Sequence, residues 1–312
     1  MDDAEKTPVV QNGDSPRGFA FALTAYLLWG FLPFFMKAVA HIPAFEVVAH
    51  RIVWSLPLAG AVLVLLGRTD DIRMALRSPR MLKMAMVTAV LITINWGIYV
   101  WAIGAGRALE TALGYYINPL FSIFLGAVLL KEKLNPAQIV AIVLAAIAVV
   151  VLAFDAGGLP WVSIGLALSW GLYAFFRKTL PVGPNQGFFL EVLLLSVPAL
   201  GYIVYLEASG QGHFFDTGLV DVALLMACGV VTAVPLMIYA NGAKLLRLST
   251  IGIMQYIAPT MIFLIAVFVF HEPFGTPKLI AFILIWAALA VYSTSMLMES
   301  RARRAVVASP AE

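Results

Sequence analysis

The sequence of 312 residues carries very little charge for its length. Only 12% of its residues are Asp, Glu, Lys or Arg, against roughly 25% in a soluble globular protein, and 62% are hydrophobic. A mean hydropathy of +0.94 leaves too little polar surface to cover a core in water, which excludes an ordinary soluble enzyme. We therefore expect lipid to surround most of the chain.

Cysteine and the motifs of soluble catalysts are also scarce. The single cysteine, Cys228, permits no intrachain disulfide and no metal site built on thiolates. There is no G-x-x-x-x-G-K-[ST] loop and no connection long enough for a folded domain, which excludes ATP hydrolysis by this chain. The four histidines are scattered and form no H-E-x-x-H motif, so we predict no enzyme, no metal site and no cofactor.

Long apolar runs are abundant instead. A bilayer core needs roughly 20 apolar residues per helix, and ten segments meet that test. The polar, acidic first seventeen residues are unlike a cleaved signal peptide, so we expect the first segment to be retained. The predicted spans are Gly18 to Lys37, Ala44 to Leu66, Leu82 to Gly104, Leu109 to Leu130, Pro136 to Phe154, Leu159 to Phe176, Gly187 to Leu206, Leu219 to Ala240, Ser249 to Phe270 and Pro277 to Met298.

The basic residues predict how these spans are oriented. With the amino terminus inside, sixteen of the 20 lysines and arginines fall on the cytoplasmic side, and only Lys37, Arg107 and Lys278 fall outside. The net charge of +3 is distributed in short clusters between spans rather than along one face, so we expect no nucleic-acid partner. Both termini are predicted to be cytoplasmic.

The two halves of the chain resemble each other at a nearly constant offset. Each half holds five spans, an odd number, so the second copy must enter the membrane from the opposite side. Inverted repeats place a pseudo-twofold axis in the membrane plane, which is the physical basis of alternating access. A ten-helix scaffold without a passage is the alternative. The matches are Trp29-Gly30 with Trp170-Gly171, Phe34-Phe35 with Phe175-Phe176, Lys37 with Lys178, Tyr99 with Tyr239, Arg107 with Arg247, and Tyr116 to Pro119 with Tyr256 to Pro259.

Arg51 is the clearest ionisable group inside a predicted span, where a central arginine costs about +2.5 to +3.5 kcal/mol to insert. It lies two turns after Pro43, which places it about 12 Å deep. It is a candidate for binding a substrate carboxylate or for an internal latch, and a structural ion pair or snorkelling is the alternative. Its neighbour His50 and Glu46, one turn earlier, are candidates for proton coupling, although a histidine such as His50 is more often a hydrogen-bonded packing residue.

Glu191 is the third candidate for proton coupling. It lies one turn into the seventh predicted span and aligns with His50 in the register of the repeat. There it could face a cytoplasmic vestibule, and snorkelling at the membrane interface is the simpler alternative.

Two prolines interrupt predicted spans at equivalent places. Pro119 and Pro259 each lack a backbone N–H and displace the carbonyl four residues earlier, which needs another partner in lipid. Because both halves carry the interruption, we predict hinges at both prolines beside a central site. Plain kinks that improve packing are the alternative.

Polar and aromatic residues gather around these breaks. Rings with polar tips suit amphipathic or aromatic small molecules, although ordinary packing is an alternative for each ring. We predict a midplane cavity between the second, third, fourth, eighth and ninth spans. The predicted substrate-binding residues are Arg51, His50, Asn95, Trp96, Tyr99, Tyr116, Asn118, Gln255 and Tyr256.

Five runs of the sequence resemble one known family: Glu46 to Ser55, Asn95 to Trp101, Gly114 to Leu120, Thr232 to Leu236 and Gln255 to Thr260. The resemblance is to the RarD group of the EamA branch of the drug/metabolite transporter superfamily, and it covers about Gly18 to Met298. It implies a ten-span inner-membrane carrier made of two five-span repeats, with small metabolites or drugs as substrates and export as the usual direction.

The sequence thus predicts an all-α polytopic membrane protein with ten transmembrane helices in two inverted five-helix repeats. The repeats are residues 18–154 and 159–298, between cytoplasmic tails at 1–17 and 299–312 that look disordered. The predicted function is a secondary transporter that exports small organic metabolites or drugs across the bacterial inner membrane by alternating access. Its partners are a small-molecule substrate and the lipid bilayer, with protons and a homodimer left open. A membrane sensor or scaffold that binds a small ligand without transport is the alternative.

Overall fold

The structure is a computed structural model that describes residues 15–67, 69–129, 131, 133–155, 159–215, 218–243, 245–246 and 248–308. Within those ranges it contains helices and no strand. Of the predicted amino-terminal tail at 1–17, residues 1–14 lie outside the described residues. The helices are α1 (Pro16–Ala38), α2 (Ala44–Leu65), α3 (Asp70–Leu76), α4 (Pro79–Gly104), α5 (Ala108–Leu129), α6 (Pro136–Asp155), α7 (Trp161–Thr179), α8 (Pro184–Ala208), α9 (Leu219–Ala243), α10 (Leu248–Met254), α11 (Ile257–Leu264), a π-helical stretch (Ile265–Val269) and α12 (Thr276–Ala308).

Local sequence explains where several helices begin. Proline occupies the first turn of α1, α4 and α8, where its missing N–H has no intrahelical partner to lose. The Ser78 hydroxyl caps α4 by accepting from the Met81 N–H. Asn135 and Gln138 cap α6 reciprocally, because each side-chain oxygen accepts the other residue's backbone N–H at 2.8 to 2.9 Å.

Nine helices among the described residues are long and apolar enough to cross a membrane. Phe31, Phe45, Val197 and Leu219 are among the many large apolar side chains exposed on their surfaces, as a lipid-facing protein requires. The remaining predicted span, the sixth in chain order, is α7, a helix of 19 residues that packs against α4 and α5. Its last turn carries Arg177 and Lys178, which lowers its hydropathy. The prediction of an all-helical, multi-pass membrane protein is confirmed.

The contacts between helices follow the predicted repeat. Under that repeat α1, α2, α4, α5 and α6 correspond to α7, α8, α9, α11 and α12. The repeat then converts each contact between two helices into another contact that the structure also contains. The α1–α9 contact corresponds to the α7–α4 contact, the α2–α9 contact to the α8–α4 contact, and the α5–α7 contact to the α11–α1 contact. The pairs α2 with α8, α5 with α11 and α6 with α12 map onto themselves. This pattern is what a twofold relation between the halves produces, and the repeat boundaries themselves stay a prediction.

The two predicted hinges differ. The helix α5 continues through Pro119, so the expectation of a break there is wrong, whereas the ninth span is interrupted between α10 and α11, just before Pro259. At that interruption the Gln255 amide donates to the Gly252 carbonyl at 3.0 Å, and the Tyr256 N–H bonds to the Ile253 carbonyl three residues back. These bonds compete with the regular helical pattern.

The far end of the chain also differs from expectation. The last helix, α12, continues past Met298 to Ala308, so these residues are helical rather than disordered. The short helix α3 lies in the connection between α2 and α4, for which no helix was predicted.

Candidate functional site

A cavity of about 150 Å³ lies where α1, α2, α4, α5, α7, α9 and the α10 to α11 interruption meet. We call it the central cavity. Helices α1 and α7 line it in addition to the five spans that the sequence predicted. Its lining residues are Tyr26, Trp29, Leu32, Arg51, Asn95, Trp96, Tyr99, Tyr115, Asn118, Trp170, Thr232, Leu236, Tyr239, Gln255, Ala258, Pro259 and Ile262.

Arg51 brings a buried positive charge to this cavity, with only 3% of its surface exposed. Its Nε donates to the Thr232 hydroxyl at 2.9 Å, and its guanidinium carbon lies 4.8 Å from the centre of the Trp96 ring. Thr232 in turn donates its hydroxyl hydrogen to the Cys228 carbonyl at 2.7 Å, so its oxygen is left to accept from Arg51. Arg51 forms no ion pair with any carboxylate of the described residues. The contacts therefore fix the position of the cation without neutralising it.

Asn95 also lines the cavity, but protein groups occupy its polar atoms. Its amide nitrogen donates to the Leu166 carbonyl at 3.2 Å and to the Ser169 hydroxyl at 3.0 Å. Its carbonyl oxygen accepts from the Tyr115 hydroxyl at 3.2 Å. Asn95 therefore connects α4 to α5 and α7 and orients Tyr115, which makes it a positioning residue in this structure.

Three other polar atoms around the cavity have no hydrogen-bond partner in the described part of the chain. They are Arg51 Nη1, the Tyr99 hydroxyl and Asn118 Oδ1, and all three are buried. An unpaired buried polar atom costs about 1–3 kcal/mol, so a group that supplies the missing partner gains by binding. The set offers donors to an anionic or acceptor group and an acceptor to a donor group.

The lining of the cavity follows the repeat. One aromatic wall contains Tyr26, Trp29 and Tyr239, whose ring centres lie 5.4 to 5.6 Å apart. A second aromatic wall contains Tyr99, Tyr115 and Trp170, with ring centres 5.9 Å apart for Tyr99 and Tyr115 and 6.5 Å apart for Tyr115 and Trp170. Several lining residues are related in pairs by the repeat register: Trp29 and Trp170, Trp96 and Leu236, Tyr99 and Tyr239, Tyr115 and Gln255, and Asn118 and Ala258.

The repeat register is therefore the signal that finds three of the lining residues missed from sequence, namely Trp29, Trp170 and Tyr239. Trp29, Trp170, Thr232 and Tyr239 were not among the predicted site residues, although Trp29 with Trp170 and Tyr99 with Tyr239 are repeat matches. The arginine of the cavity is not repeated in the second half of the chain. The position equivalent to Arg51 is Val192, so the cation belongs to one half only.

Three predicted binding residues lie away from the central cavity. The Tyr116 hydroxyl bonds to Thr260 Oγ1 at 2.6 Å, and its ring stacks on Tyr256 at 6.3 Å, so both rings pack against α11 and α12. His50 Nδ1 accepts from Trp54 Nε1 at 3.1 Å, and its ring stacks on Phe214 at 5.1 Å. These residues have packing contacts rather than a place in the cavity wall.

The two carboxylates predicted for proton coupling are buried, each with only 1% exposure. Glu46 accepts from the backbone N–H of His213 at 2.7 Å and lies 2.8 Å from its Nδ1. Glu191 lies 3.4 Å from Arg177 Nε and accepts from the Tyr173 hydroxyl at 3.2 Å. Glu191 is thus enclosed by protein and does not snorkel at an interface.

A second cavity, of about 430 Å³, lies beside the central one toward the α5 to α6 connection. We call it the vestibule. Gln255 lines both cavities, and Pro119 faces the vestibule whereas Pro259 faces the central cavity. Lys133 brings a positive charge to the vestibule wall. The interrupted span therefore stands between the two spaces.

Two substitutions distinguish a residue that positions its neighbours, Asn95, from one that is free to contact a ligand, Tyr99. Asn95→Ala removes three hydrogen bonds between buried groups, and we expect it to lower the free energy of unfolding by about 2–4 kcal/mol. Tyr99→Phe removes a hydroxyl without a described protein partner, so stability should change by less than about 0.5 kcal/mol while ligand affinity falls. Thermal unfolding in detergent, with and without ligand, measures both. A Tyr99→Phe protein as unstable as Asn95→Ala would contradict this assignment.

Comparison by sequence with known proteins gives one family. The model of the EamA-like transporter family matches residues 16–154. The chain is 40% identical to protein RarD of Streptomyces exfoliatus, over 92% of this chain and 91% of that protein. It is 38% identical to the uncharacterized transporter YojE of Bacillus subtilis, over 95% of this chain and 99% of that one. A solved crystal structure, 19% identical, superposes with a TM-score of 0.59 over 88% of this chain and 96% of its own, which shows a shared fold.

Proposed function

Because the chain belongs to the EamA-like transporter family, in its RarD group, we propose that it is a secondary transporter that carries small organic solutes through the central cavity. The membrane is the bacterial inner membrane, the mechanism is alternating access and the direction is export. The relative YojE is an uncharacterized transporter by name, and the many lipid-facing apolar side chains agree with a multi-pass membrane protein.

The observation that carries the proposal is the buried cation of Arg51. Burying a charge without a partner is expensive, and such groups in membrane proteins line substrate or ion pathways. Thr232 and Trp96 hold the guanidinium in place, while its Nη1 has no partner among the described residues. We propose that a carboxylate or similar anionic group of the substrate binds there, between aromatic walls that suit a ring or another apolar body.

Alternating access is supported by the packing pattern. Contacts between helices are exchanged by the repeat, and the central cavity lies where both halves contribute repeat-related residues. Inverted repeats of this kind can exchange their open and closed arrangements around a fixed site. Because lysines and arginines are concentrated at the vestibule end of the helices, we propose that the vestibule and both termini lie on the cytoplasmic side.

Proton coupling stays a prediction, with Glu46 and Glu191 as its candidates. Each is a buried carboxylate whose partner comes from another helix or connection, so a change of protonation would alter contacts between elements. His50 is a weaker candidate because Trp54 occupies its Nδ1 and Phe214 covers its ring. A pH gradient imposed on proteoliposomes should accelerate uptake if coupling occurs.

Flux measurements on reconstituted protein test the proposed function. A panel of small carboxylates, each paired with its neutral amide, is first screened by thermal unfolding, where a saturating ligand at about 100 times its Kd raises stability by about 2.7 kcal/mol. Ligands that stabilise are then followed into proteoliposomes. We expect the carboxylates, and not their amides, to stabilise the protein and to exchange across the membrane.

The two steps separate the proposal from its alternative. Binding without flux would favour a sensor or scaffold. Preference for the neutral amides would remove Arg51 from the substrate site. Empty liposomes and protein reconstituted after heat denaturation serve as controls.

A further inference from the structure

Three acidic residues join the two halves at one end of the helix bundle. This end holds the connections 39–43, 209–215 and 270–275 together with the starts of α2, α5 and α9, and we call it the latch end. In each case a carboxylate of one half accepts a hydrogen bond from the other half. The pairs are Glu46 with His213, Asp221 with His41, and Glu272 with the backbone of Ala108 and Leu109.

The Glu46 contact is the most enclosed of the three. Its two oxygens accept from the His213 backbone at 2.7 Å and from Nδ1 of the same residue at 2.8 Å. The next residue, Phe214, stacks on His50 at 5.1 Å and on Trp54 at 5.9 Å, and its N–H bonds to Glu207. The connection between α8 and α9 is thereby clamped onto the outer half of α2, the helix that carries Arg51.

Glu272 closes the same end above α5. Its carboxylate accepts from the Ala108 N–H at 2.6 Å and from the Leu109 N–H at 2.9 Å, where the positive end of the α5 dipole favours a negative charge. Burial raises the pKa of the Glu272 carboxyl, and these two donors oppose that rise. His41 Nε2 meets Asp221 Oδ1 at 3.0 Å, and the His41 side chain is half exposed, so this contact lies at the rim.

At the opposite end the halves are also joined, because the Asn135 amide donates to the Ser295 hydroxyl at 3.0 Å. There the vestibule adjoins the central cavity, with Gln255 in the wall of both. The two ends therefore differ: a large space adjoins the central cavity at the vestibule end, whereas three carboxylates bridge the halves at the latch end.

We propose that Glu46, Asp221 and Glu272 are gating residues, whose contacts with the other half hold the central cavity closed at the latch end and must separate before it opens there. The inference rests on the proposed alternating access. A hydrogen bond to a carboxylate is stronger than one between neutral groups, and these three lie in parallel, so they hold the closed arrangement together. Removing two of them shifts the population toward opening at the latch end.

Cysteine accessibility measures this opening without knowledge of the substrate. A Cys228→Ala chain has no other cysteine, and Ala258→Cys then places one reporter in the wall of the central cavity. A membrane-impermeant maleimide is applied from each side, using vesicles of both orientations. With the latch closed, we expect labelling mainly from the vestibule side. Adding Glu46→Gln and Glu272→Gln should raise the labelling rate from the latch end by about tenfold.

The matched control is Glu110→Gln. Glu110 forms a two-pronged ion pair with Arg107 at 2.6 and 2.8 Å at the same end, but both residues belong to one half. Its removal should leave labelling from both sides unchanged. An equal increase in the control would mean that loss of any carboxylate loosens this end, and would overturn the gate.

A second variant guards against misfolding of the first. His41→Ala changes a half-exposed side chain and should raise latch-end labelling by a smaller factor. Unchanged labelling in folded, transport-competent variants would refute the gate while leaving the proposed function intact. Absence of flux in the unmodified protein for every solute tested would refute the transporter, whatever the labelling shows.

Discussion

Replacing Arg51 by methionine is expected to reduce transport of an anionic substrate by about 10- to 100-fold, the range that corresponds to one hydrogen bond to a charged group. Stability should be unchanged or higher, because an apolar side chain of similar length removes a buried charge that no described carboxylate neutralises. Thr232 keeps its bond to the Cys228 carbonyl, so no new unpaired hydroxyl hydrogen is created. Flux in proteoliposomes and thermal unfolding together measure the two effects.

Arg177→Met is the matched comparison. Arg177 is also partly buried, but it lies 3.4 Å from Glu191 and donates to the carbonyls of Gly183 and Pro184. Its removal leaves a buried carboxylate without its cation, so stability should fall, by about 3–5 kcal/mol. If Arg51→Met lost stability as Arg177→Met does and still transported, Arg51 would be a structural residue.

The second large effect concerns the contact of α2 with α9. A methyl group added at Gly229 would overlap the backbone carbonyl of Trp54, and backbone cannot move aside as a flexible side chain can. We expect Gly229→Ala to lower the free energy of unfolding by about 1–3 kcal/mol and to reduce transport as well. The two effects coincide because the same helix pair holds Arg51 against Thr232.

Gly201→Ala provides the control within another long helix. Nothing described lies within 4 Å of a methyl group added there, so the substitution should be neutral or stabilise α8 by up to about 1 kcal/mol through helix propensity. Thermal unfolding of the two variants in the same detergent makes the comparison. Similar behaviour of both would show that the approach of α2 to α9 is looser than the structure indicates.

Much of the fold is readable from the sequence because each span has to be apolar along its length. The span boundaries follow from hydropathy and from prolines at helix starts, and the depth of Arg51 follows from the fixed rise per residue of an α-helix. Asn118 and Gln255 were placed in the site by their proximity to prolines, and both line the central cavity.

Partners distant in sequence were beyond such reasoning. Glu46 meets His213 across 167 positions, and Asn95 meets Ser169 across 74, and neither spacing leaves a local pattern. Tyr115 and Tyr116 show that the direction of a side chain on its helix decides whether it lines the cavity. Adjacent residues on a helix point about 100° apart, so the first faces the cavity while the second packs on α11 and α12.

The pairing of helices also decides what can fold by itself. Helix α9, from the second half of the chain, packs against α1 and α2 of the first, and α4 makes the reciprocal contacts with α7 and α8. Neither five-span segment therefore contains the neighbours that its own inner surfaces require. Each repeat therefore packs mainly against the other repeat. If the chain were cut between residues 155 and 159, the faces of α4 and α9 that contact the other half would have no packing partner.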